Sequence, residues 1–133
     1  MATITYKVTV ATGTNKYGTG NKYYINGEAN VVLYLQEGNT YIFDLSDTTN
    51  DTHQLAFSTN PNNSPAAAYT TGVTTTGTPG TTGAKVTINV APVKKTGAPV
   101  LFYYCTAHSG MGNSIQTISP TSNEAEFNPQ IDD

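Results

Sequence analysis

Apolar and polar side chains alternate from the first residues of the chain. Ile4, Tyr6, Val8 and Val10 fall on one side, and Thr3, Thr5, Lys7 and Thr9 on the other. A period of two over that length predicts a half-buried β-strand with its apolar face to a core. The same alternation returns at Val31, Leu33 and Leu35, at Tyr41, Phe43 and Leu45, and at Val86, Ile88 and Val90. Lys22 to Ile25, Leu55 with Phe57, and Ile115 to Ile118 mark three briefer strands. Val100 to Cys105 is apolar and aromatic throughout, the pattern of a central strand covered on both faces.

Turn residues punctuate these segments. Residues 12–21, rich in Gly, Thr and Asn, read as a loop, and Asn26-Gly27 is a strong turn signal. Glu37-Gly38-Asn39 turns residues 30–36 into residues 40–45, which predicts a hairpin. A polar loop from Ser46 to Thr52 ends at His53. Residues 59–83 form a long connection of Thr, Gly, Pro, Asn and Ala, and long connections inside a domain are usually functional or mobile. Pro92 to Pro99 is a turn region. No helical pattern and no internal repeat occurs. Seven or eight short strands with frequent turns predict an all-β sandwich of two sheets over residues 1–118. Residues 119–133 lose the alternation and end acidic, which predicts an extended tail docked on a partner.

Composition narrows the function. The 133 residues suit one core, and only 11% are charged, so the surface is hydroxyl and amide rather than ionic. All six basic residues are Lys and the net charge is −3. Without Arg the chain lacks the bidentate grip on phosphates and bases, which argues against nucleic acid. No apolar run has the length of a membrane span. The N-terminus shows no basic-then-apolar leader, so the expected place is a virion or the cytosol. The alternative is the periplasm or another exported compartment after removal of a signal.

The chemistry concentrates in Cys105-Thr106-Ala107-His108-Ser109-Gly110-Met111-Gly112. A strand delivers Cys105 to its end, and a short loop with two glycines presents His108 and Met111. The other histidine is His53. The chain owns one Cys, two His and two Met, Met1 being the initiator, so one site would use every thiol, every imidazole and the internal thioether. A His-Cys-His set with a weak axial Met suits copper cycling between two oxidation states. Zinc accepts Cys and His as well, although Met is a poor zinc ligand.

Cys105-x-x-His108-x-x-Met111 at a strand end, with His53 upstream, resembles the cupredoxins, particularly the amicyanin-like short-loop group. The resemblance implies a Greek-key sandwich, copper ligands His53, Cys105, His108 and Met111, and an exposed His108 edge as the electron exit to a redox partner. Family members usually carry Asn after the upstream His, where it ties the two ligand loops together. Gln54 stands there in this chain. A narrower resemblance rests on residues 20–27, 37–47, 69–73 and 77–80. They look like cupredoxin-like domains in structural proteins of marine and cyanobacterial bacteriophages. This implies a decoration or accessory role beside other virion proteins, with the tail as docking arm. The alternative is a soluble type 1 copper one-electron carrier. Neither is an enzyme.

Each residue also has a plainer role. Cys105 alone packs like a small hydrophobe, Met111 plugs the sandwich end, His108 is solvated and His53 caps a turn. A Cys-His hydrolase lacks a recognisable orienting group. Asp44, Asp47 and Asp51 lack calcium-loop spacing and read as a solvated loop. The sequons at Asn50 and Asn62 carry little weight without an export signal. The aromatic residues, Tyr23 and Tyr103 among them, read as core and sheet packing, without a distinguishing residue for carbohydrate.

Overall fold

In the computed structural model the described residues are 1–62, 67–92 and 101–119. The first alternating segment is β1 (Thr3–Asn15), with Val8 and Val10 buried and Ile4 and Tyr6 packed at the core margin. It is followed by β2 (Gly18–Ile25), β3 (Glu28–Ala29), β4 (Leu33–Gln36), β5 (Thr40–Asp44), β6 (Leu55–Ser58), β7 (Val73–Thr76), β8 (Lys85–Asn89), β9 (Leu101–Cys105) and β10 (Ser114–Ile118). A six-stranded sheet runs β3-β2-β1-β5-β8-β7, and a four-stranded sheet runs β4-β10-β9-β6. This is the all-β, two-sheet, cupredoxin-like sandwich that the residue pattern predicts. It has ten strands among the described residues, the two-residue β3 included.

The core lies between the sheets. Phe43 of β5 meets Phe57 of β6 edge to face at 5.5 Å, and Tyr23 of β2 faces Tyr103 of β9 at 6.3 Å. Leu35, Val86, Ile88, Leu101 and Ile115 fill the space around these rings. Burying each such side chain is worth about 1.5–3 kcal/mol, so the core needs no metal to form. Tyr103, Tyr104 and Cys105 are buried in succession, as a strand between β10 and β6 requires.

Three expectations are corrected. The loop at residues 12–21 is the tip of a β1–β2 hairpin, paired from Val8↔Ile25 to Asn15↔Gly18. Its Thr and Gly content hides a ladder that runs beyond the sheet's apolar face, where cross-strand Thr14 and Thr19 hydroxyls meet at 2.8 Å. Residues 30–36 and 40–45 are not a hairpin. β4 pairs in parallel with β10, whereas β5 pairs in parallel with β1 and antiparallel with β8. The turn at Glu37-Gly38-Asn39 crosses between sheets: the Glu37 N–H donates to Ile118 O and the Gly38 N–H to Val90 O, each at 2.8 Å. The long connection 59–83 contains a Thr-rich edge strand, β7, paired with β8. Most of the turn region Pro92 to Pro99, Val100 and the tail beyond Ser119 lie outside the described residues.

Candidate metal centre

Cys105 ends β9 and pairs with Leu55 at the start of β6, so two neighbouring strands bring His53 and the thiol together. A 3₁₀ turn (Thr48–Asn50) precedes His53 and is docked on β1. The Asn50 amide donates to Val8 O at 2.8 Å, Thr49 Oγ1 accepts from the Val10 N–H at 2.9 Å, and the His53 N–H donates to Asn50 O at 2.8 Å. Asp47 caps this turn by accepting from the Thr49 N–H at 3.0 Å, and Asp44 accepts from the Ser46 N–H at 2.9 Å. Those two carboxylates are turn caps. Asn50 and Asn62, the sequon residues, are both buried.

Thr52, immediately before His53, has a φ of 69°, a left-handed conformation unusual for a β-branched residue. Such strain costs of order 1–3 kcal/mol and is found where a neighbouring side chain must be aimed. His53 is that neighbour.

His53 Nδ1 lies 3.7 Å from Cys105 Sγ, and His108 Nδ1 lies 3.6 Å from the same sulfur. The imidazole rings are 4.8 Å apart and inclined at 53°. One ligating atom from each of the three residues falls within a 4.8 Å group, in which no carboxylate takes part. His53 and Cys105 are buried, whereas His108 is exposed. An open cleft lined by Asn62, Tyr104, Cys105 and His108 runs along the outer side. Burial, and then the neighbouring His108, hold the His53 imidazole below its usual pKa, against a smaller opposing pull from Asp51. His53 is thus kept neutral, the form that ligates metal.

The loop that carries His108 and Met111 is held from several sides. Asn62 Oδ1 accepts from the Gly110 N–H at 2.8 Å and the Met111 N–H at 3.2 Å. Lys22, buried in β2, donates through Nζ to Gly110 O at 2.7 Å, and the Tyr23 N–H donates to Met111 O at 3.0 Å. Asn30 donates to Met111 O at 2.9 Å and Gly112 O at 3.0 Å, and Asn113 donates to Asn30 O at 2.7 Å. Gly112 packs its Cα against the Tyr103 backbone so closely that any Cβ would collide with the Tyr103 carbonyl. Gly110 has a φ of 81°, which a side chain rarely tolerates. Met111 is buried at the end of this loop.

The expected Asn-type link after His53 is replaced by backbone. The Thr106 N–H donates to Gln54 O at 3.1 Å and ties the two ligand loops, while the Gln54 side chain donates only to Leu55 O. The supports Lys22, Asn30 and Asn62 went unread in the sequence, because a lone Lys in a strand or an Asn in a loop has many plainer uses.

No family model matches this chain, and neither does any curated protein. Among solved structures it is similar to the 2F4 variant of the McoA multicopper oxidase from the hyperthermophile Aquifex aeolicus, at 14% identity and a TM-score of 0.47. The match covers 94% of this chain and 28% of that one.

Proposed function

We propose that this domain holds one copper ion between His53, Cys105 and His108, with Met111 as a weak fourth donor, and serves as a structural or decoration component of a bacteriophage particle. The observation that carries the metal assignment is the group of one thiol and two imidazoles within 4.8 Å. Soft sulfur with imidazole, and no carboxylate, is a donor set that suits copper. Bound copper would supply one-electron cycling between Cu(I) and Cu(II). The protein's own part is to keep His53 neutral, to take the thiol out of water so that it coordinates as thiolate, and to hold the His108–Met111 loop rigid. Copper would also pin that loop to the loop of His53 and so reinforce a particle-surface domain.

The particle role rests on the phage-like segments of the sequence. Its test is copurification with capsid or tail proteins, lost on truncation after residue 118; a protein that never associates with particles ends this part. For the metal, purified protein given Cu(II) should turn blue with a narrow copper hyperfine splitting. Colourless protein that takes up zinc but not copper would overturn the assignment. A second reading, a soluble one-electron carrier, is favoured by the exposure of His108 beside the buried donors. Rapid electron exchange of a free monomer with a redox protein would select it.

A further inference from the structure

Tyr23 is fully buried in β2, yet its hydroxyl has no hydrogen-bond partner among the described residues. Other core phenols are satisfied. Tyr103 donates to Val31 O at 2.6 Å, and Tyr41 accepts from the Gln36 N–H at 2.8 Å. A buried hydroxyl left unpaired costs about 1–3 kcal/mol, so a hydroxyl kept here calls for a reason. Its ring packs across the sandwich on Tyr103, two residues before Cys105, and its backbone N–H holds Met111 O. Burial first, then the adjacent Cys105 sulfur by charge and by hydrogen bonding, push the phenol far above its ordinary pKa. The hydroxyl is therefore a permanent donor beside the sulfur.

We propose that the Tyr23 hydroxyl is the hydrogen-bond donor to the metal-bound Cys105 thiolate, and so sets how strongly the site prefers Cu(I) over Cu(II). The proposal rests on the copper reading above. A neutral thiol is a weak acceptor, whereas a coordinated thiolate is an anionic one. The sulfur is more electron-rich beside Cu(I) than beside Cu(II), so a donor aimed at it stabilises the reduced state more. Tyr23 acts through Cys105, which makes it a positioning residue for the ligand.

The test is Tyr23→Phe, which keeps the ring and removes only the oxygen. In the Cu(II)-loaded variant the thiolate charge-transfer band should move to lower energy. The ratio of Cu(I) to Cu(II) affinity should fall about tenfold, equivalent to about 59 mV for one electron. The metal-free variant should be as stable as the parent or slightly more so, since an unpaired hydroxyl is gone. An unchanged band and an unchanged affinity ratio would overturn the proposal while leaving the copper site intact. Loss of stability without a spectral shift would reduce Tyr23 to packing and overturn it too. Parent protein lacking any thiolate-to-metal band with either Cu(II) or Co(II) would remove the copper reading itself, and Tyr23's role with it.

Discussion

The two sheets divide the work of the candidate site unequally. The four-stranded sheet supplies the donor atoms: His53 leads into β6, Cys105 ends β9, and His108 and Met111 lie between β9 and β10. From the six-stranded sheet come supports, with Lys22 and Tyr23 of β2 gripping the ligand loop and β1 docking the turn before His53. Donors are thus close neighbours in one sheet, and what fixes them comes from across the core. Metal chemistry and scaffold stability should then respond to different substitutions.

The largest effect should fall on the donor side. Cys105→Ser should remove the blue band and lower copper affinity by more than the roughly 10–100-fold that a change beyond the ligands costs. Thermal unfolding of that variant without metal should match the parent closely, because the core forms without copper; wholesale unfolding would break the division of labour. Asn62→Ala should act on both properties, since it strands the N–H groups of Gly110 and Met111. A loss of about 1–3 kcal/mol in denaturant unfolding is expected, together with weaker metal retention in chelator competition. Thr52→Gly should relieve the left-handed strain and raise metal-free stability by about 1 kcal/mol, at the expense of a less firmly aimed His53.

A pH series sharpens the comparison further. His53 has a folded pKa below its unfolded value, so its neutral form is the one the fold favours. In metal-free protein its contribution is complete above about pH 6.5, the unfolded value, and is lost as pH falls through the lower folded value. Asp44, held below the usual carboxylate range by the Ser46 side chain and backbone, keeps its contribution until pH drops under about 3.9. Two separate losses should appear in denaturant midpoints, and His53→Gln should abolish only the higher one. The smallest effect belongs to Gln54→Ala, expected within about 0.5 kcal/mol of the parent, with unchanged copper affinity. Its side chain reaches only its neighbour's carbonyl, and the tie between the loops is backbone.

Much of this was legible in the chain itself. The alternation at Val8 and Val10, at Leu33 and Leu35, and at Val86 and Ile88 announced buried faces that the structure contains. The spacing of Cys105 and His108 at a strand end announced two members of the group that His53 joins. Partner choice was not legible. A turn such as Glu37-Gly38-Asn39 encodes a reversal, but crossing to another sheet and folding back into the same one use the same residues. The Thr-rich strand β7 and the tip of β1–β2 were hidden because exposed edges do not need apolar alternation. Tyr23 looked like any core aromatic, and only its missing oxygen partner sets it apart.

The amide stitching around Asn15, Asn30 and Asn113 has an environmental consequence. Asn15 donates to Asn30 Oδ1 at 2.7 Å and to Gly110 O at 3.0 Å, extending a seam of uncharged groups along the ligand loop. Between 0.01 M and 1 M electrolyte the Debye length shrinks from about 30 Å to about 3 Å, and ion pairs exposed to water weaken accordingly. Neutral carboxamides do not follow that trend, so dilute buffer and concentrated brine should leave this seam equally firm.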